Sequence, residues 1–218
     1  MASEQVLRMV EQLAENSEYR HPRELPFTFI QEAATLSDDD ALELATRLCM
    51  LNEHKYIRAG VIIIERHPTA FGRVGWEFLE PIGNLMDDWG KVDMFACLAG
   101  PAWRTGQLSD AQVMRWTHSA SRWWRRAALV CTVFLNRRTL GGTGDTPRTL
   151  TVCDALASDK DDMVVKGMSW ALRDLLKRDR NAVERFLEEH EGELHARVKR
   201  EVRNKLLTGR KNPPRKRD

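Results

Sequence analysis

"MVVKGMSWALRDLLKR", residues 163–178, holds apolar residues at three- and four-residue steps, the spacing that puts them on one face of an α-helix. "DDDALELATRLCML" (38–51) repeats the pattern behind three acids that suit a helix N-terminus, and "ARVKREVRNKLL" (196–207) repeats it again. The chain has no convincing period-2 alternation and no hairpin signature between strands. The pattern predicts an all-α fold.

The same stretch carries a second regularity. Lys166 stands early in its helix. Four other helix starts place a basic residue in a similar setting: "YIRAGV" at Arg58, "WGKVDM" at Lys91, "WRRAAL" at Arg126 and "RVKREV" at Lys199. The intervals are 33, 35, 40 and 33 residues. Periods of this size belong to helix-pair arrays such as HEAT repeats. The longest interval contains the Gly-rich "LGGTGDTPRT" (140–149), a loop that would absorb the extra residues. It follows a helix and lacks the Gly-Lys-Ser/Thr of a phosphate-binding P-loop.

Helix pairs of this kind stack into a curved α-solenoid whose second helices line the concave face. Residues 1–208 are expected to form one such HEAT-like domain, with 209–218 as a basic disordered tail. Arg58, Lys91, Arg126, Lys166 and Lys199, with Arg125 beside them, would form a basic stripe along the concave groove. A cation is poorly placed at a helix N-terminus, so its recurrence there argues for use. Basic residues at repeat spacing match the phosphate track of a nucleic-acid duplex.

Composition agrees with a soluble globular protein: 42% of residues are apolar and 30% charged. No window approaches a membrane span, and "MASEQVLRMVEQ" lacks the basic and apolar regions of a secretory signal. Cys49, Cys97, Cys131 and Cys153 stand singly within apolar patterns, with no CxxC, and read as reduced core residues of a cytoplasmic protein. The net charge of +2 hides an asymmetry. Residues 163–218 carry 16 Lys/Arg against 9 Asp/Glu, and the rest of the chain is net acidic. A basic C-terminal third suits a polyanionic partner.

No metal or triad motif stands out. In "HEGELH" (190–195) the histidines are five apart, so they do not share a helix face as a metalloprotease pair would. Seven tryptophans against two tyrosines are the anomaly. Trp76, Trp103 and Trp116 lie in apolar patterns and read as core. The adjacent Trp123 and Trp124 point about 100° apart on a helix, so one can face the core and the other the groove. Trp89 and Asp93 are four apart, on one face of the helix of Lys91. Trp170 lies one turn beyond Lys166. Trp89, Asp93, Arg126 and Trp170 are therefore expected to converge on one patch of the groove.

"WGKVD", "WWRRAAL" and "VVKGMSWALRD" resemble, in order and spacing, segments of the AlkD-type alkylpurine DNA glycosylases, a HEAT-like repeat family of DNA alkylation repair proteins. The resemblance covers roughly residues 38–207. It implies a catalytic cleft lined by Trp89, Asp93 and Trp170, with Arg126 contacting DNA. It also implies hydrolysis of the N-glycosidic bond of cationic alkylated purines, such as 3-methyladenine and 7-methylguanine, in duplex DNA. The implied reaction needs no base flipping, no metal and no cofactor, and a nucleoid-associated monomer would perform it. Two features depart from the family. Gly90 replaces an acidic residue, and the segment before residue 38 is short, with "LPFTFIQEAATL" as a shortened counterpart.

The chemistry makes physical sense from the residues alone. A purine alkylated at N3 or N7 is cationic and already a good leaving group. A carboxylate need only favour the oxocarbenium-like sugar as the bond breaks, and it can orient the attacking water. Aromatic faces attract cations. The alternative is a non-enzymatic HEAT-like module that binds damaged or branched DNA. It shares the basic stripe and needs no carboxylate.

Overall fold

The computed structural model describes residues 2–212. Among these, every regular element is helical, with twelve α-helices, three short 3-10 turns and no strand. The chain divides into two compact units. The first ends at Leu108 and contains α1 (Glu4–Glu15), α2 (Phe27–Ala33), α3 (Asp38–Met50), α4 (His54–Arg66), α5 (Trp76–Gly83) and α6 (Trp89–Arg104). The second begins at Ser109 and contains α7 (Asp110–Thr117), α8 (Arg122–Asn136), α9 (Thr146–Ala155), α10 (Asp162–Leu175), α11 (Arg180–Glu189) and α12 (Ala196–Thr208). No described helix is long and apolar enough to cross a membrane.

Helix starts follow short polar side chains. Ser37, Asp88, Ser109, Ser121, Asp145, Asp161 and Asp179 each accept a hydrogen bond from a backbone amide of the first turn that follows. Such bonds satisfy donors that have no partner inside the helix. The last helix ends at Thr208, where Gly209 takes a left-handed conformation at φ 71°, a conformation that costs glycine little. The expected basic tail begins there, and its residues 213–218 lie outside the described residues.

From α3 onward the helices run in pairs. In the first unit α3 packs on α4, α3 on α5 and α4 on α6. In the second, α7 packs on α8 and α9, while α10 packs on α8, α9, α11 and α12. Each basic residue of the sequence repeat opens the second helix of a pair: Arg58 in α4, Lys91 in α6, Arg126 in α8, Lys166 in α10 and Lys199 in α12. The apolar stripes behind them form the cores. Leu44, Leu48, Ile57, Ile64, Phe95 and Trp103 are buried in the first unit, and Trp116, Leu129, Met168, Leu172, Val198 and Val202 in the second. Burial raises the thiols of Cys49, to about 12, and of Cys153. None of the four cysteines is in a disulfide, and Cys97 alone of them is only part-buried. Trp76 also differs from expectation. It is part-buried at the first position of α5.

Candidate active site

The stretch "DDWGKVDMFA" (87–96) opens α6. The Asp88 carboxylate caps the helix, accepting from the Gly90 amide at 2.6 Å and the Lys91 amide at 3.1 Å. Trp89, the first helical residue, is 60% exposed. Burial is the usual fate of an indole, so the exposed Trp89 ring is a candidate contact surface. Asp93 lies one turn on, part-buried. Both line an open cleft of about 530 Å³ in the first unit, with His21, Arg23, His54 and Arg58 around them.

The cleft is electrostatically mixed. Arg58 pairs with Glu65 at 3.2 Å. The Cys97 thiol, whose Sγ donates to the Asp93 carbonyl at 3.4 Å, reports the surrounding charges. Burial pushes it up to about 11, Glu65 and Asp93 add to the rise, and Arg58 opposes it. A cation, two carboxylates and an indole thus share the α4–α6 edge.

Gly90 has a steric reason. A Cβ there would stand 3.0 Å from Asp88 Oδ1 and 3.1 Å from His54 Nε2. His54 occupies that space and reaches Asp88 Oδ2 at 2.9 Å. Burial raises the Asp88 carboxyl, but the His54 hydrogen bond and the Lys91 and Gly90 amides outweigh it and hold it below the usual range. The short N-terminal segment also contributes. The 3-10 turn Pro22–Glu24, capped by His21 Nδ1 on the Arg23 amide, packs on α4 and brings His21 and Arg23 to the cleft.

The expected row of exposed cations is not what the units present. Lys91 is buried, and its ammonium lies 2.8 Å from both Asn52 Oδ1 and Asp87 Oδ2. Asn52 adopts a left-handed φ of 58°, which asparagine tolerates better than most residues, and this aims its amide at Lys91. Packing of α6 on α4 covers the lysine stem, so its charge serves the protein. Arg126 is also buried, with Nη1 donating to the Met163 carbonyl at 3.0 Å. Arg125 donates to Asp159 at 2.7 Å and to the Ser119 and Ala120 carbonyls. Lys166 pairs with Asp162 at 2.7 Å, and Lys199 with Glu191 at 3.2 Å. Neighbouring carboxylates therefore offset the cost of a cation at a helix N-terminus, which periodicity cannot show.

Trp89 and Asp93 belong to the first unit, Arg126 and Trp170 to the second. Trp170 is part-buried, and one ring face lies under the Arg137 guanidinium at 5.3 Å. Trp124 packs against Trp116 at 5.1 Å between ring centroids, while Trp123 lies near Arg122. His21, Arg23 and His54 also line the cleft, although no sequence motif singles them out. The repeat holds a signal for His54, which opens α4 as Trp89 opens α6. Among the described residues no group of three His, Cys, Asp or Glu side chains could hold a metal ion. His195 caps α12 and His190 lies by Asp154.

Among the described residues the protein is all-helical, with an exposed indole and a carboxylate on one cleft edge. The chain belongs to the DNA alkylation repair enzyme family, whose model matches residues 24–206. No curated protein matches it.

Proposed function

We propose that the chain is a DNA glycosylase that hydrolyses the N-glycosidic bond of cationic alkylated purines, such as 3-methyladenine and 7-methylguanine, in duplex DNA without base flipping. Its two units would be parts of a HEAT-like array acting as a monomer. The observation that supports this reading most directly is the pairing of exposed Trp89 with Asp93 in one cleft, in a member of this repair family.

In the proposed reaction the C1′–N bond breaks as the base takes its electron pair and loses its positive charge. Water oxygen bonds C1′, and its proton passes to the Asp93 carboxylate or to solvent. Asp93 favours the positive charge developing on the sugar. Trp89 supplies a π face to the cationic nucleotide, so neutral bases gain little. Arg58 sits where a phosphate could replace Glu65 as its partner. Lys166, Lys199 and Arg125 are proposed to meet phosphates by the same exchange of carboxylate for phosphate. Lys91 and Arg126 are assigned to holding the helices that carry these groups. Trp170 is proposed to contact the lesion-bearing strand with the part of its ring that Arg137 leaves open.

The test is release of 7-methylguanine from methylated duplex DNA, with abasic sites counted in parallel. Asp93→Asn should slow release about 100-fold or more and retain DNA binding. Equal release by both proteins would sink the mechanism. DNA binding by the wild type without release of any alkylated base would favour the non-enzymatic module.

A further inference from the structure

The Gly-rich stretch 140–149 looks like a spacer in sequence, but its start folds into an ordered ledge. Gly144 N donates to the Leu135 carbonyl at 2.9 Å, and the Asp145 amide to Asn136 Oδ1 at 3.0 Å, so the chain doubles back on the end of α8. Gly141 and Gly144 adopt φ values of 80° and 107°. At Gly142 a Cβ would lie 2.7 Å from the Leu135 carbonyl carbon, so only glycine lets the loop close this tightly. Arg178, just past α10, braces the turn by donating to the Asn136 and Gly142 carbonyls, each at 2.7 Å.

This closure gathers positive charge. Asn136, Arg137, Arg138, Thr139, Lys177 and Arg178 line a cleft of about 440 Å³ in the second unit. Arg137 reaches Asp174 Oδ2 at 2.5 Å and Lys177 reaches Asp174 Oδ1 at 2.8 Å, so one buried carboxylate serves two cations. Arg178 is spent on carbonyls alone. The Arg138 side chain is exposed and makes no hydrogen bond or ion pair with the described residues, while its carbonyl accepts from the Gly141 amide at 3.0 Å. Cations at a helix C-terminus gain from its dipole, and Arg178 fills that role for α8. The lining carries four cations, Arg137, Arg138, Lys177 and Arg178, against the single negative charge of Asp174. Its Arg137 wall also carries the guanidinium over Trp170, so the ledge adjoins a residue of the proposed site.

We propose that this ledge is an anion subsite that takes a backbone phosphate of bound DNA, with Arg138 as its principal ligand and Arg178 and Lys177 flanking it. The ligand chemistry is that of a tetrahedral oxyanion. The choice of a DNA phosphodiester rests on the repair reading above. Prearranged guanidinium groups suit phosphate oxygens, and the braced loop would hold Arg138 without reordering on binding.

The experiment measures binding of the full chain to unmodified duplex DNA across a salt series, for wild type, Arg138→Ala and Arg138→Glu. The exposed Arg138 side chain makes no hydrogen bond or ion pair with the described residues, so both variants should fold, as circular dichroism checks. Arg138→Ala should weaken binding several-fold and reduce the slope of log K against log salt by about 1, and Arg138→Glu should weaken it further. A second arm titrates wild type with inorganic phosphate at constant ionic strength. Unchanged DNA affinity and slope in both variants overturn the proposal, including when inorganic phosphate binds. The glycosylase reading is scored separately, by base release from methylated DNA. A loss of slope without base release leaves the ledge standing and removes that reading; base release with unchanged slope does the reverse.

Discussion

Lys91 separates a phosphate contact from a structural lysine, and the two roles predict opposite results. Its side chain is 7% exposed, with Nζ 2.8 Å from Asn52 and from Asp87. Asp87 is 64% exposed, so solvent screens that ion pair to less than about 1 kcal/mol. The charged hydrogen bond to Asn52 is worth roughly 1.5–3 kcal/mol. Lys91→Met keeps the buried stem and removes the ammonium, whose desolvation then no longer opposes folding. The net loss should be about 1–2 kcal/mol. Lys91→Ala also removes three methylenes at about 0.8 kcal/mol each, for a total of about 3–4 kcal/mol. In a chain of this size 1 kcal/mol moves Tm by roughly 2–4 °C. Calorimetry should therefore show Lys91→Met melting roughly 2–8 °C below wild type, with Lys91→Ala lower still. The salt dependence of DNA binding should not change, whereas loss of a phosphate contact would reduce the slope by about 1. An unchanged Tm with a shallower salt slope in Lys91→Met would refute the structural role.

Three further outcomes are expected. Trp89→Ala, at an exposed position, should leave stability within about 0.5 kcal/mol of wild type and slow base release by about tenfold or more; an undiminished rate removes Trp89 from the site. The Asp174 carboxyl, though raised by burial, is held below its ordinary value by the hydrogen bonds and charges of Arg137 and Lys177. A carboxyl depressed in the folded state stabilises it above the unfolded value, near about 4, and loses that effect as pH falls through the folded value. Acid unfolding should therefore lower stability more steeply in wild type than in Asp174→Asn below about pH 4, and parallel curves would contradict this. Gly142→Ala would bring a Cβ within 2.8 Å of the Arg137 nitrogen and the Asn136 carbonyl carbon. It should cost about 1–3 kcal/mol, and an unchanged melting temperature would show that the loop yields.

Much of the molecule is legible along the chain. The 3.6-residue periodicity locates α3, α10 and α12 to within three residues at each end, because the signal is local. The repeat spacing identifies the second helix of each pair, because equivalent positions recur when pairs stack. The i,i+4 relation of Trp89 and Asp93 on α6 follows from helix geometry alone, as does their common face.

The fate of each charge depended on what packs beside it. Lys91 and Arg58 occupy similar sequence settings, yet Lys91 is buried against Asn52 and Asp87 while Arg58 borders the cleft. One of the two partners that hold Lys91, Asn52, is 39 positions away in sequence. Gly90 reads as a lost acid until His54 is seen standing in the space a side chain would need. The 140–149 stretch reads as slack until Arg178, from beyond α10, is found bracing its carbonyls. Sequence determined the helices, their order and the face on which Trp89 and Asp93 lie, because those depend on neighbours within a turn. Tertiary structure alone decided which cations stay open to a ligand, because burial and ion pairing depend on groups that only folding brings together.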